Sequence, residues 1–185
     1  MISVKNVDIA NIKRIIVSEQ ELKNRILELG NRIAEDYADK DLVLVGVQRG
    51  SIYFLADLSR AIELPLQIDL ISIGVFSNSP VNTGVVRIAK DLDNDVTGKH
   101  VIIVQDIIRS GLTSGYLLQN LETRGAASIK LCSLLYSPEE FILNFPIAYH
   151  GFEVSKAAWL IGYGLDINEK GRNLPYIAEI KGTRA

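Results

Sequence analysis

Val101-Ile-Ile-Val-Gln-Asp-Ile-Ile-Arg-Ser-Gly-Leu-Thr113 reads as a strand that runs into an anion-sized turn. Val101 to Val104 are all β-branched, the composition of a short buried strand. A single carboxylate, Asp106, follows the neutral Gln105, and Arg109, Ser110, Gly111 and Thr113 then make a hydroxyl-rich turn. Tyr116, Leu117, Leu118 and Leu121 are spaced like the buried face of a helix that ends at Gly125. At such a strand–turn–helix junction the backbone N–H groups point outward and the helix dipole favours a phosphate. Asp106, at the strand's end, is placed to accept hydrogen bonds from sugar hydroxyls. Together these features point to a sugar phosphate. The other reading is a plain βα turn in which Ser110 and Thr113 only cap the helix.

The flanking chain repeats the strand–helix alternation. Ile12 to Val17 suits a short edge strand, and Ser18-Glu-Gln-Glu21 is a capping box. Leu22, Ile26, Leu29, Ile33 and Tyr37 recur at helical steps. Leu42 to Val47 is apolar throughout, as in a strand covered on both faces. Gln48-Arg-Gly-Ser51 leads into a helix to about Ile62, and Leu66 to Ser72 forms the next strand. A polar loop spans Gly74 to Gly84, Val85 to Ala89 suits a strand, and Asp91 to Gly98 is a polar turn. Ser128 to Leu135 is a further strand. Beyond Phe145 the chain is irregular, with short strands expected at Ala148–Phe152 and Trp159–Gly162. The alternation predicts one α/β domain over residues 1–185: a mainly parallel, doubly wound sheet flanked by helices, with a small hood from residues 145–185. Ligands in such sheets bind at the carboxyl ends of strands. Gln48–Ser51, Ser72–Gly84 and Asp106–Thr113 then share one rim.

Composition narrows the function. The chain has 185 residues, net charge −2 and 48% hydrophobic residues, an ordinary globular balance with no basic footprint for nucleic acid. No apolar run approaches the roughly 20 residues of a membrane helix. The first residues, Met1-Ile-Ser-Val-Lys-Asn6, lack a secretory pattern, so a cytoplasmic location is expected. The lone Cys132 lies in the apolar Ile129–Leu135 run and is expected to be a buried thiol.

A second anion turn supports the first. In Gln48-Arg49-Gly50-Ser51, Gly50 permits close approach by a ligand and Arg49 can hold phosphate through two N–H groups, although Ser51 could be only an N-cap. Two such turns on one rim suit a ligand with phosphates at both ends. Further along, Trp159-Leu-Ile-Gly-Tyr-Gly-Leu-Asp166 and Arg172-Asn-Leu-Pro-Tyr176 supply a flat ring for a base, a carboxylate that could hold Mg²⁺, and a guanidinium for pyrophosphate. Alternatively Trp159 is simply a core residue, with Asp166 and Arg172 a surface pair.

These stretches resemble the type I phosphoribosyltransferases, above all those of hypoxanthine and guanine salvage. The resemblance covers nearly the whole chain, with the motifs in matching order. It implies transfer of the 5-phosphoribosyl group from 5-phosphoribosyl 1-pyrophosphate (PRPP) to N9 of a 6-oxopurine, with release of pyrophosphate. On that basis Ser110, Gly111 and Thr113 hold the 5′-phosphate. Gln105 and Asp106 face the ribose. Arg49, Gly50 and Arg172 hold pyrophosphate, Asp166 holds Mg²⁺, and Trp159, Leu160 and Ser137 line the base site. The 74–84 loop corresponds to a flexible catalytic loop. A homodimer or homotetramer is implied as well.

The chain departs from the family where chemistry is expected. Gln105 replaces the first acid of the PRPP signature, and Arg109 replaces the third, which lies near N7 of the purine as proton acceptor. Ser137 stands where a lysine donates to O6. Ser72-Ile73 replaces a Ser-Tyr pair at the catalytic loop, Gln48 takes an apolar position, and Ser155-Lys-Ala-Ala replaces Pro-Asp. A guanidinium stays protonated and cannot accept the N7 proton, and loss of a general base typically costs about 10²–10⁴ in rate. An arginine fork does match the O6/N7 edge of guanine, so Arg109 could take over the missing lysine's part. Two functions therefore stay open: the transferase, and a catalytically impaired paralogue that binds a purine nucleotide in a regulatory role.

Overall fold

Leu42–Gln48 (β2) and His100–Ile108 (β5) lie side by side and parallel at the centre of the molecule, Leu42 opposite His100 and Gly46 opposite Val104. The computed structural model describes residues 12–76, 85–156 and 158–181. Along both central strands, alternate side chains enter opposite layers. Leu42, Leu44, Ile102 and Val104 face the helices Glu19–Asp36 (α1) and Ile52–Ala61 (α2). Val43, Val45, Val101 and Ile103 face Leu112–Glu122 (α3), through Leu117 and Leu121. This two-sided burial explains the unbroken apolar runs. Each such side chain contributes up to about 1.5–3 kcal/mol, whereas exposed ion pairs contribute about 0–1 kcal/mol, so the layers rather than surface charges hold the sheet.

The main sheet has the order β4-β3-β2-β5-β6-β7, where β3 is Leu66–Phe76, β4 Val85–Lys90, β6 Ser128–Tyr136 and β7 Tyr149–Glu153. All its pairings are parallel except β3–β4. The expected doubly wound α/β class is therefore the observed one. The chain leaves β2 toward β3 on one side and resumes from β5 toward β6 on the other. The crevice at this reversal is the usual ligand position in open α/β sheets.

A second, three-stranded sheet of order β1-β9-β8 forms the hood, from Ile12–Val17 (β1), Ile177–Ile180 (β9) and Leu160–Ile161 (β8). Its boundaries differ from the expected hood. β1 comes from the N-terminal side of the chain, and β7 joins the main sheet instead. No sequence pattern marks strand β9, because Ile177-Ala-Glu-Ile180 is too short for its alternation to stand out.

Local signals held where they were strongest. The capping box at Ser18 is complete, with Glu21 N–H donating to Ser18 Oγ and Ser18 N–H to Glu21 Oε2 at 2.8 Å. Cys132 is buried, and burial pushes its thiol far above the ordinary value. Two expectations need correction. Gly74 lies inside β3, opposite Arg87 of β4, so the antiparallel ladder extends past the expected loop start; residues 77–84 of that loop lie outside the described residues. Ser51 does not cap α2 through its side chain; its hydroxyl donates to the Val47 carbonyl at 2.7 Å. No helix among the described residues is long and apolar enough to cross a membrane.

Candidate active site

Ser110 and Gly111, between the end of β5 and the start of α3, and Thr113, in the first turn of α3, line a cavity of about 350 Å³, together with Gln48, Gln105, Asp106 and Arg109. The first N–H groups of any helix lack intrahelical partners. The cavity therefore combines backbone donors with two hydroxyls. Asp106 enters it from β5 against the loop after β2, and this packing is tight. A Cβ on Gly50 would lie 1.9 Å from Asp106 Oδ2 and 2.5 Å from its Cγ. The same loop abuts the hood, since a Cβ on Gly164 would lie 1.9 Å from the Gly50 carbonyl oxygen. Glycine at 50 and 164 thus lets β2, β5 and the hood meet at one point. Burial raises the Asp106 carboxyl above its ordinary value; backbone N–H groups and the Arg172 charge oppose this, and Asp166 adds to it.

Arg172 and Asp166 meet in the hood. Arg172 Nη2 lies 2.7 Å from Asp166 Oδ1, and Nη1 donates to the Gly164 carbonyl at 2.7 Å. Arg49, on the exposed loop after β2, reaches the same region. Its guanidinium lies 3.1 Å from Glu169, which also bonds Arg172 at 3.1 Å. Both expected pyrophosphate cations are thus bridged by one carboxylate. Nothing in the sequence singles out Glu169, which is one of two charged residues in Asn168-Glu-Lys170. Its backbone N–H in turn donates to Asp166 Oδ2 at 2.7 Å.

Arg109 follows β5 and lines two cavities: the one above, and a neighbour of about 260 Å³ walled by Ala158, Trp159, Leu160, Asp166 and Ile167. Trp159, half-buried against the cluster of Ile161, Ala178 and Ile180, presents part of its ring there. The chain after β6 runs alongside β5, with Ser137 N–H donating to the Ile108 carbonyl at 2.9 Å and Ile142 N–H to that of Ser110 at 3.3 Å. That course brings Glu140 against Arg109, with Glu140 Oε2 and Arg109 Nη1 2.6 Å apart. Arg109 also donates to the carbonyls of Ala158 (3.0 Å) and Lys156 (3.5 Å). Nothing local in the sequence marks Glu140 as this partner, 31 residues away.

Two expected site residues are placed otherwise. Ser137 is fully buried, lines neither cavity, and its hydroxyl has no partner among the described residues. It therefore does not take up the lysine's position at the base. An unpaired buried hydroxyl costs about 1–3 kcal/mol. Ser137→Ala should accordingly leave activity unchanged and raise stability by about 1 kcal/mol, read as a higher denaturant midpoint with an unchanged slope. Gln105 does line the 350 Å³ cavity, but its Oε1 accepts from Ser114 Oγ at 2.5 Å. That acceptor is turned to α3 and not offered to a sugar hydroxyl.

The donor set suits Mg²⁺ only if the substrate helps. Asp166 is a partly exposed carboxylate on the rim of the 260 Å³ cavity. No group of three or more His, Cys, Asp or Glu side chains able to hold a metal occurs among the described residues. Mg²⁺ commonly binds through one or two carboxylates, water and substrate phosphates, and that arrangement fits here.

Residues 15–168 match the profile of the phosphoribosyl transferase domain. The hypoxanthine-guanine phosphoribosyltransferase of Mycobacterium avium is 40% identical over 176 residues, covering 92% of this chain and 86% of that protein. The hypoxanthine phosphoribosyltransferase of Escherichia coli K12 is 39% identical over 168 residues, covering 90% of this chain and 94% of that protein. Among solved structures, a hypoxanthine phosphoribosyltransferase from Staphylococcus aureus superposes with a TM-score of 0.88 at 32% identity, covering 96% of each chain.

Proposed function

The chain belongs to the phosphoribosyl transferase family, and from that premise we propose that it is a purine-salvage enzyme that transfers the 5-phosphoribosyl group of PRPP to N9 of a 6-oxopurine and releases pyrophosphate. One observation carries the reading: a hydroxyl- and N–H-lined cavity joins, through Arg109, a second cavity walled by Trp159. A ribose phosphate in the first and a base in the second would place the glycosidic carbon between them. Ser110, Gly111 and Thr113 would hold the 5′-phosphate, Asp106 the ribose hydroxyls, and Trp159 with Leu160 the base. Arg49, Gly50 and Arg172 would receive pyrophosphate, with Glu169 giving way to it. Asp166 would hold Mg²⁺, which when bound offsets charge on the departing pyrophosphate. As the sugar becomes cationic in the transition state, the Asp106 carboxylate stabilises it electrostatically. The same reading carries a cytoplasmic location and a homodimer or homotetramer.

Steady-state turnover with PRPP, Mg²⁺ and each of hypoxanthine, guanine, xanthine and adenine tests it. Nucleotide formation with the 6-oxopurines is the expected result. Nucleotide binding without turnover on any base would instead support the impaired, regulatory paralogue. Trp159→Ala should raise KM for the base by about 5- to 30-fold, because stacking on a half-buried ring falls toward the lower end of roughly 1–3 kcal/mol. KM for PRPP should stay put.

A further inference from the structure

Arg109 is the hinge between the two cavities. The base atom joined to ribose must lie at that junction, so Arg109 faces the five-membered ring of a bound purine. The guanidinium is not free to swing away. Glu140, Ala158 and Lys156 hold it through Nη1 and Nη2. These contacts take three of the five N–H donors of a guanidinium, and the remainder can face the cavity. Glu139, whose carboxylate accepts from Lys156 N–H, stands behind this lattice. Asp166 lines the base cavity and Asp106 the phosphate cavity.

A group that only donates imposes a condition on the base. A neutral oxopurine carries one proton on its five-membered ring, on N7 or on N9. A proton on N7 would meet the N–H groups of Arg109 head-on. A proton on N9 leaves the reacting nitrogen without a free lone pair. Only the ring anion offers an acceptor at N7 and a lone pair at N9 together. We propose that this site selects oxopurines already ionised in the five-membered ring, with Arg109 as their counter-ion and Glu140 as the residue that positions it. The ring proton goes to solvent before the chemical step. N9 of the anion then attacks C1′ of PRPP, the N9–C1′ bond forms, and the C1′–O bond breaks with its electron pair leaving on pyrophosphate. No side chain is needed as proton acceptor.

This inference rests on the transferase reading, and two measurements separate their failures. The first is kcat/KM against pH with guanine and with 8-azaguanine, whose extra ring nitrogen makes the five-membered ring more acidic. The wild type should rise about tenfold per pH unit below the ring's titration and should favour 8-azaguanine by more than about tenfold at neutral pH. Arg109→Asp/Glu140→Gln, which restores an acid without setting two carboxylates face to face, should flatten the profile and abolish the preference. The second is calorimetry of 8-azaguanine binding to the PRPP-loaded protein without Mg²⁺, in buffers of different ionisation enthalpy below the ring's titration. Release of about one proton per base is expected. Turnover with a flat wild-type profile and equal use of both bases overturns the proposal and leaves the transferase standing. In Glu140→Gln, where Arg109 is held less firmly, kcat/KM should fall while its rise with pH and the preference for 8-azaguanine persist; loss of that pH dependence overturns the proposal. If no base is turned over, proton release on binding still supports anion selection, and binding without proton release overturns it.

Discussion

Gly50→Ala should lower kcat/KM by about 100-fold or more while leaving the fold intact. The methyl group would sit 1.9 Å from Asp106 Oδ2, well inside van der Waals contact, so the carboxylate or the loop must move. Neither can move alone. The Gly50 carbonyl oxygen is pressed against Gly164 of the hood, and Gly164 in turn carries the carbonyl that Arg172 bonds at 2.7 Å. One added carbon would therefore disturb Asp106 and Arg172, the groups proposed for ribose and pyrophosphate, together. A misplacement of about 1 Å is enough to cost about 10²-fold. The methyl lies at the rim rather than among the layers of Leu44, Val45, Ile102 and Ile103, so thermal unfolding should shift by only a few degrees. Kinetics alongside a melting curve would check both halves. Retained turnover would mean that the β2–α2 loop is looser than this packing implies.

The β5–α3 turn, the loop after β2 and the hood motif were legible as candidate site elements because each is local: a handful of neighbouring residue types in one stretch. The same holds for the helix starting at Ser18, where the capping box and the Leu22-Ile26-Leu29-Ile33 stripe agree with the observed α1. What escaped reading depends on contacts between distant stretches. Arg109 was visible as a departure, yet its ion pair with Glu140 exists only because the chain after β6 runs beside the end of β5. Glu169 became a site residue only when Arg49 and Arg172 closed on it from two elements. Ser51 shows competition between two satisfactory bonds; a hydroxyl suited to capping found the Val47 carbonyl instead. The polar turn at 91–98 conceals a buried counterpart. Asp69, 4% exposed, accepts from the N–H groups of Leu70, Asp93 and Asn94 and from the Asn94 side chain. Burial alone would raise its carboxyl, but those four donors hold it below the usual range. This turn joins β4 to β5 without touching either cavity, so its polarity reflects folding rather than function.

Asp106→Asn should separate activity from stability by moving them in opposite directions. Burial raises the carboxyl of Asp106, so the folded protein holds this proton more tightly than the unfolded chain does. Below the unfolded-chain value both states are protonated and the residue brings no penalty. As the pH rises from there, the unfolded chain ionises first, and stability falls until the folded carboxyl has ionised as well. At neutral pH the unfolded chain is ionised and the penalty is present. The asparagine variant, which lacks it, should melt higher at neutral pH, and the difference should shrink as the pH is lowered through the acidic range. Turnover should move the other way, down about 100-fold, because a neutral amide neither holds the ribose hydroxyls through charge-assisted bonds nor offsets the cationic sugar. Paired melting curves at neutral and acidic pH, with kcat measured on the same preparation, would check this. A variant that loses both activity and stability would show that Asp106 serves as a folding contact; one that keeps its activity would place ribose recognition elsewhere on the rim. The expected outcome has a physical logic. A carboxylate packed against Gly50, with the Asp166 charge nearby and the backbone N–H groups and Arg172 offsetting burial only in part, is an unfavourable place for charge, and in the proposed reaction a cationic sugar would supply the partner it lacks.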